Sequence, residues 1–145
     1  MFENARVNFQ EESHRLGRAG LSRLFRCPTL PTMLRVGRGW ESGRQHSGYD
    51  KLLLLEGPNF DAWLLRFPVG AQIPRHRDPV SGARHFRLNL VLVPARRGGE
   101  FECEGALIDR PRIKLFRSDR CAHAVSRVEE GTRYVLSLGL ALGEG

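Results

Sequence analysis

His76 and Asp78 stand two residues apart, and His123 lies on a later segment. In an extended segment, residues i and i+2 project to the same side. His76 and Asp78 can therefore reach one cation without straining the backbone, with His123 as third ligand. Two imidazoles and one carboxylate on one face suit iron(II) and leave three coordination positions open. Further along, Arg133 and Ser137 share one face of an alternating segment with Val135, Gly139 and Ala141. An arginine turned inward among such neighbours is costly without an anion. Its forked guanidinium matches a carboxylate, and Ser137 could donate a second hydrogen bond. A structural acid would also satisfy it.

The bland alternatives are specific. A lone His-x-Asp arises often by chance, and His76 and His123 would then be ordinary polar loop residues. Structural zinc on Cys103, Cys121 and His123 lacks any CxxC pair. His14, His46 and His85 read as surface or satisfied core residues, with His85 assigned to the leucine side of its strand. Trp40 and Trp63 read as packing groups. Of the two, Trp40 is the better lid candidate, because it sits in the polar, glycine-rich stretch from Gly37 to Gly48. Glu100, Glu102 and Glu104 read as a solvated strand face.

These residues need a scaffold of strands. Leu16, Leu21, Leu24 and Phe25 carry a helical spacing over residues 10 to 25, ended by Pro28 and Pro31. The run Leu52 to Leu55, the turn Gly57-Pro58-Asn59 and the segment Asp61 to Val69 predict a hairpin. His85 to Val93 alternates, with Phe86, Leu88, Leu90 and Leu92 opposite Arg87, Asn89, Val91 and Val93. Gly98-Gly99 predicts a turn. Glu100 to Leu107 and Arg112 to Phe116 predict short strands. Thr132 to Leu142 alternates again. Many short strands separated by turns predict a mainly β chain, a sandwich or jelly roll with a short N-terminal helical segment on one outer face.

The 145 residues suit one domain, 1–145. The strongly apolar run Leu52 to Leu55 is far too short to span a membrane. Met1-Phe2-Glu3-Asn4 does not read as a secretory signal, so a cytoplasmic setting is expected. Three cysteines do not make a disulfide scaffold. The net charge of +7 comes almost wholly from arginine, and on charge alone it allows an acidic partner such as nucleic acid. The basic residues form no dense block, so an arginine-biased composition with solvated charges is the better explanation.

The order His76-x-Asp78, intervening strands, His123 and then Arg133 ten residues later resembles the 2-oxoglutarate oxygenase superfamily, over Leu65 to Leu142. Gly99-Glu100-Phe101, His123-Ala124-Val125 and Gly131-Thr132-Arg133-Tyr134 resemble the prolyl 4-hydroxylase branch. Arg87-Leu88-Asn89-Leu90 with Pro94 resembles the aspartyl/asparaginyl β-hydroxylase branch, which usually carries Arg-x-His there and lacks the acidic ligand. The resemblance implies a double-stranded β-helix with iron(II) on His76, Asp78 and His123. It implies 2-oxoglutarate held by Arg133 and Ser137, with Arg87 and Asn89 lining the cavity. It implies hydroxylation of a protein side chain or small molecule, with release of succinate and carbon dioxide.

Two other functions compete. A cupin-like, non-catalytic small-anion binder would keep the fold and Arg133, but would be expected to show His-x-His in place of His76-Arg77-Asp78. A nucleic-acid-directed oxygenase of AlkB type rests on charge only.

Overall fold

The computed structural model describes residues 34–44, 47–78 and 82–143. The helix expected over 10–25 and the centre of the loop from Pro79 to Gly82 lie outside the described residues. Among the described residues every regular element is a strand: β1 (Trp40–Ser42), β2 (Asp50–Glu56), β3 (Phe60–Phe67), β4 (Ile73–His76), β5 (Ala83–Val93) and β6 (Arg97–Gly98). These are followed by β7 (Phe101–Cys103), β8 (Ile108–Arg110), β9 (Ile113–Arg117), β10 (His123–Val125), β11 (Val128–Glu130) and β12 (Arg133–Gly143). No helix among these residues is long and apolar enough to cross a membrane.

The β2–β3 hairpin forms at the expected turn, with the Gly57 N–H donating to the Phe60 carbonyl at 2.9 Å. The strand expected over 100–107 is shorter, because Gly105 turns the chain at φ +84°. Where a turn is expected, Gly98 ends β6 and Gly99 follows it, both with positive φ. The strands assemble into a seven-stranded sheet, β1-β2-β3-β12-β5-β9-β8, and a three-stranded sheet, β4-β10-β7, with β11 and β6 forming a separate pair. Val125 of β10 packs in one cluster with Phe67, Val91 and Val135 of the large sheet, beside Tyr49. The two sheets therefore face each other across the core, and the described residues form a mainly β jelly-roll barrel.

The central strand β12 aligns the functional rows. Its antiparallel register sets Trp63, Ser137 and Asn89 side by side, then Asp61, Gly139 and Arg87. Side chains alternate along it: Arg133, Val135, Ser137 and Gly139 are buried, while Tyr134, Leu136 and Leu138 are only half-buried. The leucine face points out of the barrel and the polar-bearing face points in. Gly139 has a specific reason to lack a side chain. The Asp61–Arg87 ion pair crosses directly over it, and a Cβ there would lie 2.5 Å from Asp61 Oδ2.

Gly139→Ala should cost about 1–3 kcal/mol of stability through this overpacking, read from denaturant midpoints. Gly143→Ala, with nothing within 4 Å of its Cβ position, should leave the midpoint unchanged.

Candidate metal centre

His76 is the last residue of β4, and His123 is the first of β10. The two are directly paired across the small sheet. Their rings lie 4.3 Å apart, centroid to centroid. Asp78 follows in the loop, where its N–H donates to the Ser118 carbonyl at 2.9 Å. One ligand atom from each of His76, Asp78 and His123 lies within 4.8 Å of the others. The two-residue spacing in β4 and its exit thus does what extended geometry allows, and strand pairing supplies the third donor.

Both imidazoles are oriented by the backbone. His76 Nδ1 sits 2.8 Å from the Pro74 carbonyl, and His123 Nδ1 sits 3.0 Å from the Cys121 carbonyl. Each Nδ1–H donates to its carbonyl in the neutral tautomer, which leaves both Nε2 lone pairs directed at the shared space. Phe116 packs its ring 4.8 Å from that of His123 and closes one side. Burial chiefly pushes the His123 pKa down, which favours the neutral ring. For His76, the Asp78 carboxylate 3.6 Å from Nε2 raises the pKa against opposing burial. Burial also works to raise the pKa of Asp78. The nearby His76 ring, its Nε2 3.6 Å away, and the positive charges of Arg44 and Arg87 outweigh it and hold the carboxyl well below the usual range. An ionised carboxylate beside two directed imidazole nitrogens fits a divalent cation.

A cavity of about 310 Å³ opens from these ligands onto the large sheet. Arg133 lies in its wall, 5% exposed, with its guanidinium 5.4 Å above the Phe67 ring. No hydrogen bond or ion pair satisfies it among the described residues. Burial lowers its pKa, and the charge of Glu100 opposes this. Ser137, also expected at the site, accepts a hydrogen bond from Arg87 Nη1 at 3.0 Å, which leaves its own O–H available. Arg87 grips Asp61 through both terminal nitrogens, at 3.0 and 3.2 Å. Asn89 lines the cavity too, and its buried Oδ1 has no partner among the described residues. All seven expected site residues therefore line one cavity. A buried guanidinium without a counter-charge fits a carboxylate ligand.

Three readings need correction. His85 belongs to the Arg87 side of β5, since residues two apart share a face. Its Nδ1 lies 2.6 Å from Ser118 Oγ, and it senses the charges of Arg87 and Asp61. Trp40 is no lid. It sits in β1 opposite Leu52, covered by the Arg66 guanidinium 4.6 Å from its ring. Trp63, read as packing, is the tryptophan that lines the cavity. Sequence reasoning also missed Arg44, Lys51 and Asp61 as cavity residues. Strand parity with Leu65 points to Asp61. Nothing local marks Arg44.

No protein-family model matches the sequence, and no curated protein matches it. Among solved structures, KdgF from Halomonas sp. is 20% identical, with 71% of this chain and 86% of that one covered, at a TM-score of 0.50. The DMSP lyase DddQ from Ruegeria pomeroyi DSS-3 is 17% identical, at a TM-score of 0.51. That match covers 70% of this chain and spans about half, 55%, of the DddQ chain. A viral collagen prolyl hydroxylase from Paramecium Bursaria Chlorella virus-1, in complex with 2OG, is 18% identical over 60% of this chain and 61% of its own, at a TM-score of 0.45. The likeness to KdgF and DddQ shows a shared fold.

Replacing His76, Asp78 or His123 by Ala should each abolish the binding of one Mn(II) ion, followed by loss of the free-ion paramagnetic resonance signal on titration. A proton must leave His76 before a metal can bind there. Its pKa lies above the ordinary 6.5, so affinity in wild-type protein should weaken progressively as pH falls through and below the region just above that value.

Proposed function

We propose that this chain is an iron(II)- and 2-oxoglutarate-dependent oxygenase. The observation that carries the reading is the buried, unmatched guanidinium of Arg133 in the same cavity as the converging His76, Asp78 and His123. A metal-only site would not need a cation in its wall. An anion-only site would not need two imidazoles with both Nε2 atoms freed toward a carboxylate.

His76, Asp78 and His123 would hold the metal on one face, leaving the cavity side open. Bound iron(II), together with 2-oxoglutarate and dioxygen, supplies the oxidative decarboxylation that yields succinate, carbon dioxide and a hydroxylated product. Arg133 pairs with the co-substrate's far carboxylate through its planar fork. Ser137 donates its free O–H to the same carboxylate, while the Arg87–Asp61 pair fixes the Ser137 oxygen from behind. Phe67, Val125 and Val135 make an apolar wall that keeps water from the guanidinium and strengthens the ion pair. The protein's contribution is binding, orientation and exclusion of water; the cofactors carry the oxidative step.

Purified protein given iron(II) should convert 2-oxoglutarate to succinate, even slowly without a second substrate, and His123→Ala should not. Arg133→Ala should raise the KM for 2-oxoglutarate by about 10- to 100-fold, the loss of one charge-assisted contact, with Mn(II) affinity unchanged. Arg133→Lys should recover part of the loss. No iron binding and no succinate would contradict the proposal, as would a 2-oxoglutarate affinity indifferent to Arg133.

A further inference from the structure

Four cationic side chains line the cavity: Arg44, Lys51, Arg87 and Arg133. Their partners differ. Arg87 is matched by Asp61. Under the oxygenase reading, on which this inference rests, Arg133 receives the co-substrate's far carboxylate. The charges of a divalent ion, Asp78, a dianionic co-substrate and Arg133 then cancel, as do those of Arg87 and Asp61. Arg44 and Lys51 remain.

Neither has a good alternative partner. Arg44 Nη1 lies 3.1 Å from Asp78 Oδ1, the carboxylate that a metal would claim. A divalent ion there neutralises Asp78 and repels the guanidinium. Lys51 faces Glu41 at 3.6 Å, and Glu41 is 59% exposed, so that pair contributes little. Both cations line the same cavity. The Gly43 N–H donates to the Tyr49 carbonyl at 2.7 Å, which folds the chain carrying Arg44 back onto the start of β2, where Lys51 sits. Arg44 lines the cavity yet is 61% exposed, which puts it at the mouth. The Lys51 ammonium stands 4.6 Å from the centre of the Trp63 ring, another cavity wall.

We propose that the primary substrate carries an oxyanion, a carboxylate or phosphate-type group, that docks on Arg44 and Lys51 at the cavity mouth with the adjoining part of the substrate against Trp63. The loaded site thus selects an anionic substrate. Arg44 links the two events, because metal binding at Asp78 releases it for the substrate.

Inorganic sulfate is the probe. Trp63 fluorescence in a Trp40→Phe background reports its binding to protein loaded with Mn(II) and 2-oxoglutarate. Saturable binding is expected, weakened about tenfold by Lys51→Ala and by Arg44→Ala. Arg110→Ala, which removes one exposed charge outside the cavity lining, should leave it unchanged. A second arm needs neither metal nor co-substrate. In metal-free protein, Asp78→Ala frees Arg44 directly, so sulfate should bind more tightly than to metal-free wild type, and adding Arg44→Ala should remove the gain. Failure of Mn(II) or 2-oxoglutarate to bind would sink the oxygenase reading and leave this second arm to decide the anion site. Absence of sulfate binding, equal losses in Lys51→Ala and Arg110→Ala, or no effect of Asp78→Ala would each overturn the proposal.

Discussion

A guanidinium taken out of water without a counter-charge costs several kcal/mol, and the cavity is organised around that cost. Arg133 is nearly inaccessible, stacked over Phe67, and has no anion bonded to it among the described residues. Gly99 packs closely against its stem, where a Cβ would come within 3.3 Å of the Arg133 Cδ. The side chain is therefore held in place rather than left to swing to solvent. A fold keeps such a group only where something repays its burial. A small carboxylate entering the cavity, facing an ionised Asp78 and two directed imidazoles, would do so.

The surrounding architecture serves this arrangement through register. Strand β12 lies between β3 and β5, so each of its inward residues meets one partner on each side. The row containing Gly139 lets Asp61 and Arg87 pair across the central strand. The neighbouring row then gives Ser137 a fixed position against Arg87. On the opposite sheet, the pairing of β4 with β10 places His76 beside His123, although they are distant in sequence. One polar array is thus built on the large sheet and one donor set on the small sheet, with an apolar core of valines, Tyr49 and Phe67 between and beside them.

Much of this is legible in the residues themselves. The alternation in 85–93 and 132–142 predicts the two longest strands and separates Arg87, Asn89, Arg133 and Ser137 from the leucines. The cost of an inward arginine gives a reason to look for an anion. What escapes is set by contacts between elements. Arg44 enters the cavity through the hydrogen bond that closes the chain between Gly43 and Tyr49, a contact with no local signature. Lys51 turns inward with Tyr49 and Leu53, but the unbroken run of leucines that follows it shows no alternation from which to count. Trp40 looks like a loop residue in its glycine-rich surroundings, but pairing with Leu52 and cover from Arg66 fix it in a strand. His85 required only a strict count of two along β5.

The most direct test of the central claim is a crystal structure of the protein with Mn(II) and 2-oxoglutarate bound under anaerobic conditions. One metal ion ligated by His76 Nε2, His123 Nε2 and an Asp78 oxygen is expected. The far carboxylate of the 2-oxo acid should lie in the fork of Arg133. A metal bound elsewhere, or a 2-oxo acid that leaves Arg133 unpaired, would contradict that claim.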